Sequence, residues 1–514
     1  MTDRKAPKVA VIGAGPGGLA AAMLLAAQGY RVDVYEKQSV LGGRSSELRL
    51  GEYRFDRGAT FLMMPHLLEE LFARAGRSLD DYVTMKKLDP LYSLHFGDTV
   101  FTPSTDEDQT YAQIERLFPG NGAGYRRFMK EEQEKLDRVT PLLQRPFQTF
   151  GDYLKKDVFH ALPKLNVLDT VYNRLSNYFE DERLRFAFTF QAKYLGMSAW
   201  ECPGTFTILS FMEHRYGLYH PVGGVNQIFT AMAAITKEYG GAIHTGCGVK
   251  RVLVKDGRAE GLLLENGEKV EADYVVIGAD FGSAMTHLFE PGILRKYTPE
   301  KLAKKRYSLS TAMLYLGVDG PVDLAHHSVH FAEDYRRNVE EISKQGKLSL
   351  DPSLYIHNPS VLDPTLAPQG KTSLYVLMPV PNLLSGIDWT EEEGRIQALM
   401  MEKLERIPAL AGLADRIEEK QYFSPLDWAN KLDVHNGATF NLAHNLGQMM
   451  ALRPHNTFED VRGVWLVGGG THPGSGLPTI FESAKISAQL LQAHDRGERP
   501  QFVSASMAGS GVSV

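Results

Sequence analysis

Cysteine is almost absent from the chain. The 514 residues contain only Cys202 and Cys247, which lie far apart without the short spacing of metal ligands. This scarcity excludes a disulfide framework and a cysteine-based zinc site, and we therefore expect no metal site. A chain without disulfides is typical of a reducing compartment, so we expect the protein to be cytoplasmic.

The chain also lacks a large excess of charge of either sign. Its 56 Lys and Arg residues nearly balance its 62 Asp and Glu residues, and the formal net charge is -6. Such a chain has no global positive field that would attract a polyanion. We therefore expect no nucleic-acid partner.

Long apolar runs are lacking as well. Residues 9–27 are uncharged and largely apolar, and this stretch superficially imitates a signal peptide or membrane anchor. Its glycines and Pro16 would break a simple apolar helix, however, and they fall where a strand must turn into a helix. No other run is long and apolar enough to predict a bilayer-spanning helix.

A βαβ unit is predicted at the start of the chain. Lys8–Ile12 has the pattern of a buried strand, Gly18–Ala27 is rich in helix formers, and Arg31–Glu36 predicts a second strand. The turn between the first strand and the helix, Gly13-Ala14-Gly15-Pro16-Gly17-Gly18, matches the G-x-G-x-x-G fingerprint in its required context. This position makes the motif a strong indication of a dinucleotide site.

Each residue of this motif has a physical task. Gly13 permits the tight turn, Gly15 lets a pyrophosphate approach the backbone, and Gly18 lets the helix pack closely on the strand. The helix N-terminus offers free N–H groups and a positive dipole end to the phosphates. Glu36, at the end of the second strand, is placed to accept hydrogen bonds from the adenosine ribose, and it would repel the 2′-phosphate of NADP.

A second glycine-rich loop lies near the C-terminus, at residues 467–478. It is predicted to connect a buried strand, Val464–Val467, to a final helix over Pro478–Ala493. Such a loop can present another helix N-terminus to the flavin end of the same cofactor, where the dipole would stabilise the negative charge of a reduced flavin. The two loops together predict FAD. We interpret His472, within this loop, as a structural residue.

The organisation of the chain predicts an α/β protein in which a Rossmann-like FAD-binding domain carries an inserted mixed-sheet substrate domain and a helical, membrane-facing segment. The nucleotide domain is assigned to residues 1–125, 222–300 and 456–495, the helical, aromatic-rich substrate or membrane-facing region to 126–221, and the substrate domain to 301–455. Strands are predicted around 242–254, 259–264 and 269–277, with turns at Asp256-Gly257 and Asn266-Gly267. Residues 496–514 are predicted to be a disordered tail.

Several further motifs resemble those of the phytoene desaturase family of carotenoid oxidoreductases, and the resemblance runs almost from end to end. Besides the first glycine motif, they are Glu36-Lys37, residues 42–44, residues 55–58 and residues 471–474. Residues 351–355, 366–371, 375–379 and 386–389 look especially like those of bacterial dehydrosqualene (4,4′-diapophytoene) desaturases. Gly469, where relatives often carry alanine, and residues 480–482 depart from the family pattern.

The resemblance implies a flavin amine-oxidase or phytoene-desaturase type of fold and a non-covalent FAD. It places Glu36 on the ribose, Gly43 and Arg44 near the pyrophosphate, the Val249 backbone near the adenine, and residues 470–478 against the ribityl chain and isoalloxazine. Asp280 would approach the nucleotide from the side. The complete set of expected cofactor-binding residues is Gly13, Ala14, Gly15, Gly17, Gly18, Glu36, Lys37, Gly43, Arg44, Gly58, Val249, Asp280, Gly468, Gly470, Gly476, Leu477 and Pro478.

The implied activity is desaturation of a linear isoprenoid, diapophytoene or phytoene, by loss of a hydride to the flavin and of a proton to a weak base. No catalytic constellation stands out, and we assign no catalytic residue; the polar run Glu213-His214-Arg215 is interpreted as surface or interdomain contacts. The resemblance also implies a lipid-soluble polyene substrate, peripheral association with the inner face of the cell membrane, and quinone or oxygen as electron acceptor. Three alternatives remain open: a carotenoid oxygenase acting on terminal methyl groups, a flavin amine oxidase, and a non-enzymatic lipid-binding protein of the Rab GDP-dissociation inhibitor kind.

Overall fold

The N-terminal βαβ unit forms the centre of a five-stranded parallel sheet, here called the dinucleotide sheet. The computed structural model describes residues 6–502. The predicted strand Lys8–Ile12 is present with those bounds and is flanked by two parallel partners. In spatial order the strands are Ala242–His244, Arg31–Tyr35, Lys8–Ile12, Tyr274–Ile277 and Val464–Leu466.

The first helix packs against this sheet because its sequence is apolar on all sides. It spans Pro16–Ala27 and all its residues except Pro16 and Ala27 are buried. Gly13, with φ +93°, makes the turn into it, and a Cβ on Gly18 would lie 2.0 Å from the Gly13 carbonyl oxygen. Only glycine at position 18 therefore allows this close approach.

The α-helices are distributed along the chain and occur in both the predicted nucleotide-binding and the predicted substrate segments. They span Pro16–Ala27, Pro65–Arg74, Glu107–Leu117, Gly122–Leu143, Lys156–Ala161, Val171–Ser176, Glu182–Ala187, Ile208–Tyr216, Asn226–Glu238, Phe281–His287, Pro299–Ala303, Tyr335–Ser343, Trp389–Glu405, Pro425–Leu432 and Leu477–Arg496. No helix within residues 6–502 is both long enough and apolar enough to cross a bilayer.

Two of the predicted strands are in fact pairs of strands in different sheets. The stretch predicted around 242–254 divides into Ala242–His244, in the dinucleotide sheet, and Val249–Lys255, in an antiparallel three-stranded sheet with Arg258–Leu264 and Lys269–Glu271. Likewise, the stretch predicted at 269–277 breaks, and Tyr274–Ile277 joins the dinucleotide sheet. The physical reason is pairing: the Asp273 N–H donates to the Lys8 carbonyl, which redirects the chain.

A mixed seven-stranded sheet, here called the substrate sheet, forms the second layer. Its strands in spatial order are Ile417–Phe423, Ser310–Val318, Thr372–Val380, Leu354–His357, His327–His330, Ser93–Phe96 and Thr99–Phe101. Apolar runs at 311–316 and 373–378 lie within two of these strands. The pair formed by His327–His330 and Ser93–Phe96 is parallel, so residues within the predicted first nucleotide segment also complete the substrate sheet.

Two small sheets connect these layers. Glu47–Leu50 pairs with Tyr53–Asp56, and Leu218–Pro221 pairs with both Leu62–Met63 and Met85–Lys87. The α/β architecture is confirmed, although the residue-by-residue division into domains stays a prediction. The final helix extends through Arg496, and residues 503–514 of the predicted tail lie outside the described residues.

Candidate active site

The dinucleotide cavity, of about 490 Å³, lies at the carboxyl ends of the central parallel strands. Ligands of open α/β sheets bind at this edge. Most of the expected cofactor-binding residues line it: Gly13, Gly15, Gly17, Glu36, Lys37, Gly43, Arg44, Val249, Asp280 and Gly468. The first glycine loop, the second strand and the C-terminal glycine loop thus meet around one space, as the sequence predicts.

The Glu36 carboxylate is held rigidly by backbone donors. Its Oε2 accepts a hydrogen bond from the Ala14 N–H at 2.7 Å, and its Oε1 accepts one from the Gln38 N–H at 2.8 Å. Burial raises the pKa of Glu36, against the lowering effect of these two N–H donors. Each oxygen keeps acceptor capacity beyond its backbone bond, so the carboxylate can accept ribose hydroxyls in the geometry expected of an adenosine site.

The phosphate end of the cavity also fits FAD. The helix Pro16–Ala27 begins after Gly15 with no side-chain cap, and its first turn carries no acidic residue. Its free N–H groups and positive dipole end are therefore available to a pyrophosphate. A Cβ on Gly17 would lie 3.1 Å from the Gly468 backbone, so the two glycine loops touch each other here.

Arg44 and Asp280 form a charged pair at the side of the cavity. The Arg44 guanidinium donates to Asp280 Oδ2 at 3.1 Å and to the Thr439 carbonyl at 3.2 Å. Asp280 also accepts from the Asn441 side-chain amide at 2.7 Å and caps the helix Phe281–His287. The pair fixes the direction of the guanidinium, which is exposed to both the dinucleotide cavity and the cavity beside it.

That neighbouring space, here called the substrate cavity, is about 280 Å³ and largely apolar. One wall is the face of the substrate sheet, and the opposite wall is formed by residues 58–61 and 475–480. It shares Arg44, Ser45 and Ile480 with the dinucleotide cavity, so the two spaces join. Among the expected cofactor residues, it is lined by Gly58, Gly476, Leu477 and Pro478.

Two buried tyrosines of the substrate sheet position the loop at residues 57–58, which borders the substrate cavity. The Tyr315 hydroxyl donates to the Arg57 carbonyl at 2.7 Å, and the Tyr375 hydroxyl donates to the Gly58 carbonyl at 3.2 Å. On the other side, the helix Leu477–Arg496 begins at Gly476, whose φ is +109°. Its N-terminus therefore borders the substrate cavity, as the proposed flavin site requires.

Three of the expected cofactor residues line neither cavity. Ala14 acts through its backbone N–H on Glu36, and Gly18 is needed for helix packing. Gly470 packs closely against Phe281, because a Cβ on Gly470 would lie 2.4 Å from the Phe281 Cβ. Gly469, a departure from the family pattern, does line the dinucleotide cavity, and a methyl group there would lie 3.2 Å from Ser475 Oγ.

His472 contacts the backbone of a distant segment and lines neither cavity. Its Nε2 lies 2.9 Å from the Arg145 carbonyl, and its ring packs near that of Phe147. Burial lowers the pKa of His472 to about 4, so the ring is neutral at physiological pH. This environment is that of a structural residue.

Glu213 and His214 are not surface residues, because both side chains are buried, and their interpretation as interdomain contacts stays a prediction. Glu213 Oε2 accepts from the Tyr92 hydroxyl at 3.0 Å and from the Gln191 amide at 2.8 Å. Burial raises the pKa of Glu213 to about 7. Arg215 alone is exposed.

Lys193 lines the substrate cavity and was not singled out from the sequence. Its Nζ lies 4.6 Å from the centre of the Tyr335 ring, and within residues 6–502 it has no ion-pair partner. Burial lowers the pKa of Lys193 to about 7. The sequence offers one signal that could have identified Lys193: it lies inside an aromatic stretch, where a charged side chain has little access to solvent.

Comparison with known proteins agrees with this geometry. Residues 16–492 match the family model of flavin containing amine oxidoreductases. The chain is 43% identical to the 4,4′-diapophytoene desaturase (4,4′-diapolycopene-forming) of a Methylomonas species, over 95% of this chain and 96% of that protein. It is 36% identical to the all-trans-zeta-carotene desaturase of Myxococcus xanthus, over 96% and 94% of the two chains.

The fold is also shared with a solved amine oxidase. Cyclohexylamine oxidase from Brevibacterium oxydans superimposes with a TM-score of 0.58 over 96% of this chain and 100% of that one, at 16% identity. At that identity the likeness shows the fold alone, whereas the sequence relationships extend over nearly the whole chain. The chain belongs to the flavin containing amine oxidoreductase family and, within it, to the FAD-dependent carotenoid desaturases.

Proposed function

We propose that the protein desaturates the C30 isoprenoid 4,4′-diapophytoene, using FAD bound across the two joined cavities. The observation that carries this proposal is the apolar substrate cavity that opens onto the dinucleotide cavity at Arg44, Ser45 and Ile480. An apolar wall suits a hydrocarbon, which is bound by burial of its surface. The C30 assignment is supported by the 43% identity to a 4,4′-diapophytoene desaturase.

The lining of the substrate cavity does not suit a charged amine. None of the described residues that line it is Asp or Glu, so a protonated amine would enter an apolar space without a carboxylate partner. Burying such an unpaired charge is strongly unfavourable. This observation favours a hydrocarbon substrate over the amine-oxidase alternative.

Forming a C=C bond breaks two neighbouring C–H bonds, and one hydrogen leaves with both electrons while the other leaves as a proton. When bound, FAD supplies the acceptor for the hydride. Lys193 Nζ is the basic group of the substrate cavity that can take the proton, because its lowered pKa leaves much of the amine uncharged at neutral pH. The surrounding apolar residues exclude water from the reacting carbons.

Pigment analysis tests the substrate assignment. The protein is expressed in cells that make either C30 diapophytoene or C40 phytoene, and extracts are separated by chromatography with absorption spectroscopy. We expect stepwise red-shifted hydrocarbons from the C30 precursor in excess over those from the C40 precursor. The reverse preference would contradict the C30 assignment, and no product from either, despite bound FAD, would contradict desaturation.

The same extracts distinguish a desaturase from a carotenoid oxygenase. We expect products whose masses differ from the precursor by pairs of hydrogens, with no label after growth under ¹⁸O₂. Incorporation of ¹⁸O at the terminal methyl groups would favour the oxygenase instead.

Reoxidation of the flavin is followed separately. We expect reduced enzyme to be reoxidised by a soluble quinone or by oxygen, and failure of both would contradict this choice of acceptors.

We further propose that residues 150–168 dock on the inner face of the cell membrane. This segment, here called the apolar patch, carries five apolar side chains that are 47–94% exposed: Phe150, Leu154, Phe159, Leu162 and Leu168. Lys155 and Lys156 lie among them and would be attracted to anionic lipid headgroups. Exposed apolar area next to lysines is typical of a peripheral membrane site, and a lipid-soluble substrate requires access to the bilayer.

Vesicle co-sedimentation tests the docking surface. The triple variant Phe150→Ser/Leu154→Ser/Leu168→Ser removes apolar surface from the contact. Its affinity for phosphatidylcholine–phosphatidylglycerol vesicles should therefore be lower than that of the wild type by about tenfold or more. Leu350→Ser, at a site that is 71% exposed but outside the patch, is the matched control and should bind normally. Equal binding of the triple variant and the wild type would contradict this surface.

A further inference from the structure

Three buried histidines meet behind the wall of the substrate cavity. One ring nitrogen each of His220, His326 and His357 lies within 4.8 Å of the other two. His220 belongs to the small-sheet strand Leu218–Pro221, and His357 ends a strand of the substrate sheet. His326 directly precedes the neighbouring strand of that sheet. The rings are at most 9% exposed, so the cluster is shielded from solvent.

The His220 ring is oriented by a carboxylate. Its Nε2 lies 2.9 Å from Asp363 Oδ2, an oxygen that also accepts from the Gly223 N–H at 2.6 Å. Because an ionised carboxylate only accepts hydrogen bonds, Nε2 carries a proton, and in the neutral tautomer Nδ1 then carries the lone pair. This Nδ1 is buried and has no hydrogen-bond partner in the part of the chain that the structure describes.

His326 is oriented by a chain of hydrogen bonds that ends at the substrate cavity. Its Nδ1 lies 3.1 Å from His327 Nε2, and His327 Nδ1 lies 2.7 Å from the Tyr355 hydroxyl. That hydroxyl lies 2.6 Å from Thr60 Oγ1. If each group donates in the direction of Thr60, the lone pair of His326 is left on Nε2, which is buried and unpartnered among residues 6–502.

The third ring also has a buried nitrogen, Nε2 of His357, without a hydrogen-bond partner among the described residues. A neutral imidazole ring has one nitrogen that carries a lone pair, which can bind a metal ion. An unsatisfied buried polar atom costs about 1–3 kcal/mol, and a cation held between the three rings would give a partner to ring nitrogens that face it.

We propose that His220, His326 and His357 bind one divalent transition-metal ion of the zinc class. Neutral imidazole nitrogens are ligands for such ions, whereas Ca²⁺ and Mg²⁺ take oxygen. Ligand nitrogens around tetrahedral zinc are about 3.4 Å apart, so nitrogens that lie within 4.8 Å of one another need to approach by at most about 1.4 Å. The Asp363–His220 hydrogen bond has the form of the carboxylate–histidine–metal arrangement that fixes ligand tautomers.

The proposed ion joins two layers of the molecule. It connects the small-sheet strand that carries His220 to the substrate sheet, and through His327 it fixes the direction of the Tyr355 hydroxyl. Tyr355 and Thr60 both line the substrate cavity. The ion is therefore a structural element of the cavity wall, distinct from the FAD site and contrary to the expectation of no metal drawn from the cysteines.

Metal binding by the purified full-length holoprotein tests this proposal, with Co²⁺ alone as the probe. We expect one Co²⁺ per chain, visible absorption bands of four-coordinate cobalt beside the flavin spectrum, and displacement by Zn²⁺. His326→Gln should bind Co²⁺ about 100-fold more weakly. His330→Gln is the matched control, because His330 lies on the adjoining strand, stacks on His95 and is not in the cluster; it should bind as the wild type does.

Wild-type holoprotein that binds no Co²⁺ or Zn²⁺ would overturn the proposal, as would full binding by His326→Gln. Flavin content and far-ultraviolet circular dichroism establish that each variant is folded. Asp363→Asn keeps all three ligands and provides a second test if His326→Gln does not fold. It should weaken Co²⁺ binding about 10- to 100-fold, and unchanged affinity would contradict the assigned role of Asp363.

Discussion

At the scale of single residues, Lys193 is distinguished by lining an apolar cavity that adjoins the cofactor site. If its amine accepts the substrate proton, Lys193→Met should lower kcat about 10²- to 10⁴-fold, the usual contribution of a positioned base. Because the uncharged amine is the active form and its pKa is about 7, wild-type activity should rise with pH through that value and then level.

The measurement is turnover of diapophytoene in liposomes across a pH series, with flavin content as the check on folding. Lys420→Met, at an exposed strand position, is the control and should keep wild-type turnover. If Lys193→Met keeps the wild-type kcat, or if its activity rises with pH as that of the wild type does, Lys193 is not the proton acceptor.

Glu213 provides a second residue-scale prediction, which concerns stability. Its pKa is 4.5 in an exposed chain and about 7 when buried in the fold, so the folded state binds the proton more tightly. Stability from this group is fully present below pH 4.5 and is lost as pH rises to about 7, by about 3 kcal/mol. The free energy of unfolding of Glu213→Gln, measured by urea denaturation, should increase relative to that of the wild type by this amount between pH 4 and 8. A difference between variant and wild type that is independent of pH would contradict the buried neutral carboxyl.

At the scale of elements, the first helix depends on a glycine, Gly18, that lines neither cavity. A methyl group on Gly18 would lie 2.0 Å from the Gly13 carbonyl oxygen, whereas one on Gly394, within the helix Trp389–Glu405, would meet no atom within 4 Å. Gly18→Ala should therefore destabilise the protein by at least about 3 kcal/mol and release FAD. Gly394→Ala should stabilise it by about 0.5–1 kcal/mol.

Denaturation curves and flavin content after gel filtration measure both changes. Stoichiometric FAD in purified Gly18→Ala would contradict the packing argument, since backbone displacement at the first turn must distort the phosphate site.

Elements with local signals could be predicted closely from the sequence. Lys8–Ile12 was predicted with its observed bounds, because apolar pattern, glycine turn and helix formers all agree there. The strands after residue 240 were predicted too long, because the breaks near 245 and 272 arise from pairing with Arg31–Tyr35 and Lys8–Ile12, which a local pattern does not contain.

At the scale of the whole molecule, the cofactor site is assembled from both ends of the chain. Bound FAD therefore stabilises the whole fold, by about 2.7 kcal/mol when free FAD is 100 times its Kd. We expect the denaturation midpoint of deflavinated protein to rise with added FAD and not with riboflavin, which lacks the adenosine that is expected to bind at Glu36. A midpoint independent of FAD concentration would contradict a site built from both ends.

A site residue could be predicted where its role is visible in a short stretch of sequence, and not where that role depends on the topology. Gly13, Glu36 and Gly468 carry motifs whose chemistry is visible in a few consecutive residues. Lys193 and the three clustered histidines carry no such pattern, because their significance comes from which distant segments the topology brings together.

The strand order of the dinucleotide sheet also has a consequence for biosynthesis. Its central strand, Lys8–Ile12, is synthesised long before its last strand, Val464–Leu466, and the helix Leu477–Arg496. The N-terminal glycine loop therefore exists on the nascent chain before the second glycine loop does. The two loops can enclose FAD together only after residues 464–496 have been synthesised and have folded onto the N-terminal unit.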